Sequence, residues 1–149
     1  MKMNILKLLV FMGLLSCKPN TPIKETQYVA REKVVLQQDQ SSESYKRGKY
    51  IYDDFCLTCH LPNGKGIPGS FPPLDGSDWL TKKRTESIHA VKYGLEGPIT
   101  VNGVKYNNVM VEMGLTDQEV ADVMNYINNS WSNAIKKPVS LEEVKAVKK

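Results

Sequence analysis

Cys56-Leu57-Thr58-Cys59-His60 is the stretch of this sequence with the most pointed chemistry. Two cysteines separated by two residues, with a histidine directly after, form the attachment pattern of a c-type haem. Each thiol adds to one vinyl group of the porphyrin, and the two intervening residues let one turn of chain reach both. The next residue lies under the ring, where its imidazole can bind the iron as proximal ligand. Two other chemistries use the same residue types. A redox dithiol wants a βαβ context, whereas the flanks here read as helix and loop. A structural zinc site wants four ligands, and outside this stretch the sequence offers only Cys17 and His89. The residues therefore favour haem, with Cys56 and Cys59 as covalent anchors and His60 on the iron.

A low-spin electron carrier needs a second axial ligand. Methionine suits ferrous iron and raises the potential relative to two histidines. Met110 and Met113 both precede the last long helix and are the candidates, whereas Met124 sits on that helix's apolar face and reads as core. The proximal imidazole also needs a hydrogen-bond partner, because a carbonyl on Nδ1–H fixes the tautomer and orientation of a metal-bound histidine. Pro72, in a loop broken by Pro62, Gly64, Gly66, Pro68, Gly69, Pro73 and Gly76, is the candidate through its carbonyl oxygen.

These residues need elements to position them. Helical character begins near Ser44, with Tyr45, Gly48, Tyr52 and Phe55 on one face at spacings of three and four. Gly48 costs about 1 kcal/mol relative to alanine in such a helix, which suggests close approach by another helix. A second helix is expected from Trp79, opened by Thr81 or Thr85, to Tyr93, where Gly94 stops it; His89 inside it reads as a surface or packing residue. Ile99–Val101 and Val104–Tyr106 around Asn102-Gly103 predict a small hairpin. Thr116 and Glu119 form a capping box opening a helix that carries Val120, Val123, Met124, Ile127 and Trp131 on one side, with Tyr126 angled to meet Gly48. Ser140 and Glu143 form a second box, opening a short basic tail helix through Val144 and Val147.

Residues 1–16 carry Lys2, Lys7 and a short apolar run, the pattern of an export signal rather than of a span. They end in Leu14-Leu15-Ser16-Cys17, which resembles a bacterial lipobox and makes Cys17 the expected lipid anchor. Residues 17–43 are polar and proline-interrupted and read as a mostly disordered tether. Export agrees with the haem motif, since c-type haem in bacteria is attached outside the cytoplasm. The expected location is the outer face of the cytoplasmic membrane or the outer membrane, facing the periplasm. The formal charge of +4 falls to +2, 18 basic against 16 acidic side chains, when Lys2 and Lys7 leave with residues 1–16. Nothing in that balance argues for nucleic acid. The remaining hundred or so residues suffice for one modest core.

From about Tyr45 onward the chain resembles a class I c-type cytochrome. The resemblance rests on Gly48-Lys49-Tyr50-Ile51-Tyr52, Cys56 to His60, Phe71 to Leu80, Gly97 to Gly103, Tyr106 to Met110, and the helix ending Asn128-Asn129-Ser130-Trp131. It is similar to single-haem domains found alone or appended to respiratory oxidases, nitrite reductases and quinoprotein dehydrogenases. The resemblance implies an all-α fold over residues 44–149, a few helices around one covalent haem c with a hairpin-like loop. It implies Met110 as distal ligand, with Met113 as the alternative because Val111 stands where the family has proline. It also implies Gly48 and Tyr126 as the crossing point of the first and last helices. The expected function is a membrane-tethered single-electron carrier between respiratory partners, not an enzyme. The alternatives are an electron-entry subunit of an oxidase, nitrite reductase or dehydrogenase, and a haem enzyme or gas sensor with an open distal site.

Overall fold

A computed structural model describes residues 42–149; the expected signal, tether and Cys17 lie outside the described residues. The first helix, α1, covers residues 42–60 in three pieces. Its α-helical start at 42–51 passes into a π-helical segment, Tyr52–Cys56, and closes with the turn Leu57–His60. The long α4, Asp117–Asn128, crosses it. A Cβ added at Gly48 would lie 2.0 Å from the Asp122 carbonyl oxygen and 2.8 Å from Tyr126 Cβ, so only glycine allows this approach. Around the crossing, Tyr126 packs on Tyr45 at 5.1 Å and on Tyr52 at 5.3 Å between ring centroids. The buried Asp122 carboxylate takes hydrogen bonds from Ser44 (2.6 Å), Gln118 (3.0 Å) and the Arg47 guanidinium (2.6 and 2.9 Å). A buried carboxylate with this many donors is satisfied rather than stranded.

Helix α4 begins as its sequence indicates. Thr116 Oγ1 accepts from the Glu119 amide and Glu119 reaches back to the Thr116 amide at 2.8 Å. It ends at Asn128, however, and Trp131 lies beyond it with φ +56. There the indole donates to the Pro62 carbonyl at 3.0 Å and its ring covers Gly64, so a tertiary contact sets the end of the helix.

The single helix expected from Trp79 to Tyr93 is two, α2 (Asp78–Lys82) and α3 (Arg84–Tyr93), broken at Lys83. Neither threonine caps. The Lys83 carbonyl accepts both the amide and the hydroxyl of Ser87, each at 2.8 Å. The start of α2 is instead tied to the hairpin, with Asp78 and Asn102 exchanging bonds of 2.8 and 2.7 Å. In the hairpin β1 (Ile99–Val101) pairs antiparallel with β2 (Val104–Tyr106), and the Asn102-Gly103 turn has positive φ at both residues.

The last helix, α5 (Leu141–Ala146), is docked against the domain, burying Val139, Val144 and Val147. Only half of its expected capping box forms. Ser140 accepts from the Glu143 amide, but the Glu143 carboxylate turns to Arg84, which it binds through both oxygens at 2.6 and 2.9 Å.

Candidate haem site

The π-helical segment leads directly into the Cys-x-x-Cys-His stretch. Phe55, expected on one face with Tyr45, Gly48 and Tyr52, is 44 % exposed, while the next residue, Cys56, is 8 % exposed. The widened turn has rotated the chain so that the cysteine faces inward. Cys56 and Cys59 are both free thiols, and burial, then the neighbouring Cys59, pushes the Cys56 thiol up to about 12. A reactive thiol has a lowered value, which Cys56 does not show. Among the described residues no three histidine, cysteine or acidic side chains cluster in a way that could hold a metal ion.

His60, at the end of α1, is buried, and its Nδ1 lies 3.0 Å from the Pro72 carbonyl oxygen. A carbonyl only accepts, so Nδ1 carries the hydrogen. Burial pulls the imidazole below its ordinary value, with the Pro72 bond opposing this more weakly, and the neutral ring predominates. Nε2 is then the atom with a free lone pair. The Pro72 carbonyl reaches its place because Gly66 lies against it. A Cβ there would stand 2.5 Å from that oxygen, and Gly66 has φ +61.

His60 borders an apolar cavity of two lobes, about 600 and 690 Å³ including their open mouths. Cys56, His60, Pro72, Leu95, Ile99 and Met110 line both lobes. The inner one is lined further by the buried Leu80, Met124 and Ile127 and by Val91, and the outer one by Phe55, Cys59, Val109, Val111 and Met113. No carboxylate, lysine or arginine lines either. Met110 thus borders both lobes and Met113 only the outer. The Met110 backbone is fixed by a two-way exchange with Leu95, at 2.8 and 2.9 Å. Among the described residues the amide of Val111, standing where proline was expected, makes no hydrogen bond, so a proline there would forfeit none. An apolar cavity flanked by two inward thiols, an unpartnered imidazole nitrogen and a thioether fits a covalently held haem.

Two positions that matter here escaped the sequence reading. Gly94 reads as a helix stop, yet it also abuts the Met110 segment, with a Cβ there falling 2.6 Å from the Met110 carbonyl oxygen. Gly66 was one glycine among many in a broken loop. In neither case does the local sequence announce the long-range contact.

Comparison with known proteins agrees with this geometry. A family model described as Cytochrome c matches residues 45–131. Cytochrome c-552 of Thermus thermophilus is 45% identical over 110 residues, covering 68% of this chain and 83% of its own length. The gluconate 2-dehydrogenase cytochrome c subunit of Pantoea cypripedii is 31% identical over 133 residues, 80% of this chain but 29% of that subunit. The cytochrome c subunit of a quinone alcohol dehydrogenase of Gluconobacter oxydans is 31% identical over 104 residues, 68% of this chain and 22% of that subunit.

Proposed function

The chain belongs to the cytochrome c family of electron carriers, and we propose that it is a membrane-tethered, single-haem member passing one electron at a time between respiratory partners outside the cytoplasm. Haem c is the cofactor of that family, and Cys56, Cys59 and His60 stand in its attachment motif. Once bound, the haem supplies a one-electron Fe(III)/Fe(II) couple.

The rest is the work of the chain. Cys56 and Cys59 hold the group covalently, His60 presents Nε2, and Pro72 keeps that ring in one tautomer and orientation. The observation that carries the reading is that His60 and Met110 each border both lobes of one uncharged cavity. A thioether suits reduced iron, and apolar walls raise the cost of the ferric charge, so both favour a raised potential.

The outer lobe opens among exposed apolar side chains, with Val109 60 % and Val111 61 % exposed beside Phe55. That rim suits brief docking of a redox partner. Relatives that are cytochrome c subunits of dehydrogenases support a dehydrogenase as donor, and an oxidase or reductase would be the acceptor. The tether is assigned to Cys17; no helix among the described residues is long and apolar enough to cross a membrane.

A potentiometric titration of protein matured in a host that attaches c-type haem tests the function. The reading requires covalent haem and a reversible one-electron curve. A haem-free product, or reduction that is not reversible, would contradict it. Membrane fractionation of Cys17→Ser tests the tether, which predicts release of the variant into the soluble fraction.

A further inference from the structure

We infer that Lys92 and Tyr93, in the last turn of α3, are positioning residues for Met110, acting through a clasp formed by the C-terminal segment; this rests on Met110 being the distal ligand, as proposed above. The clasp comes from residues 132–149, beyond the stretch 45–131 that the family model matches.

The Met110 segment has little regular structure of its own. It is held to Leu95 by the two backbone bonds and pressed on Gly94, whose Cβ position lies 2.6 Å from the Met110 carbonyl oxygen and 3.0 Å from the Glu112 nitrogen. At such distances the two segments move together, so whatever fixes residues 92–95 also fixes Met110. The tail does this. The Lys92 ammonium donates to the Val144 carbonyl at 3.1 Å and the Val147 carbonyl at 3.4 Å, and pairs with Asp117 at 2.8 Å. The Tyr93 hydroxyl donates to the same Val147 carbonyl at 3.2 Å. The Lys92 side chain is only 13 % exposed, so these bonds are sheltered from solvent.

The tail is itself well anchored. Val144 and Val147 are buried, Arg84 grips Glu143, and Asn125 holds both the amide (2.7 Å) and the carbonyl (2.9 Å) of Val139. A rigid tail, a bonded α3 terminus and a two-way backbone exchange make one unbroken path from Val147 to Met110. The path sets how often Met110 leaves its place.

The test compares haem-loaded parent, Tyr93→Phe, Lys92→Met and Met110→Ala. Two things are read: the rate at which carbon monoxide binds the reduced protein, and hydrogen-exchange protection at the Leu95, Met110 and Val123 amides. Losing one such hydrogen bond changes an opening equilibrium about three- to tenfold. Tyr93→Phe should therefore speed carbon monoxide binding by about that factor, and Lys92→Met, which loses two such bonds and the Asp117 pair, by more. They should lower protection at Leu95 and Met110 by a similar factor while leaving Val123, in α4, unchanged. Equal loss at all three amides with an unchanged carbon monoxide rate would mean ordinary destabilisation and would overturn the inference. If the parent already binds carbon monoxide as fast as Met110→Ala, the ligand assignment fails instead. The exchange data then still decide whether the clasp holds the Met110 segment.

Discussion

At His60 two residues decide which ring nitrogen is left to work: Pro72, which occupies Nδ1, and Gly66, which makes room for the Pro72 carbonyl. Gly94 serves Met110 in the same way. Its φ of +81 is itself unfavourable for any side chain, by about 1–2 kcal/mol, and a methyl group would also strike the Met110 carbonyl. Gly97 has φ +91 but nothing within 4 Å of its Cβ position. Gly94→Ala should thus destabilise more than Gly97→Ala in denaturant unfolding, and of the two it alone should alter the distal side of the haem spectrum. Equal effects would show that Gly94 matters only for its backbone conformation. Cys56, Cys59 and His60 were legible in the sequence because covalent attachment imposes a fixed local spacing. Gly66 and Gly94 were not, because their partners are distant in the chain.

Among the elements, α1 and α4 meet at Gly48 with the backbone of Asp122 as the opposing surface. Backbone cannot turn aside as a side chain can, so Gly48→Val should cost at least about 1–3 kcal/mol, measured as a lowered unfolding midpoint. A smaller loss would show that the helices can slide apart. The docking of α5 carries a pH signature. Hydrogen bonding to Arg84, more than the attraction between their charges, holds the Glu143 carboxyl below its ordinary 4.5. The folded form therefore binds this proton less readily than the unfolded chain. Its stabilisation is complete above the ordinary value and is lost as pH falls through the folded one. Between about pH 6 and pH 3 the parent should lose more thermal stability than Arg84→Met; parallel curves would contradict the assignment. The Thr116 cap and the Asn102-Gly103 turn were readable because they depend on neighbours within a few residues. The break at Lys83, the outward Phe55 and the position of Trp131 past α4 answer to tertiary packing, and a helical period carries no sign of it.

For the molecule as a whole, the cavity opens through an apolar rim rather than a charged one. Docking through Phe55, Val109 and Val111 should depend little on salt. The rate of electron exchange with a small redox protein should therefore change by less than about twofold as the Debye length falls from about 30 to 8 Å. A steep fall would point to charged steering elsewhere on the surface. The central claim is that one haem is held covalently by Cys56 and Cys59, with its iron between His60 and Met110. The most direct measurement is the oxidised and reduced absorption spectrum of the matured parent beside Met110→Ala and Met113→Ala, with the mass of each protein. One covalent haem is expected in all three, with a changed axial spectrum in Met110→Ala alone. A change confined to Met113→Ala, or a parent with no covalent haem, would contradict it.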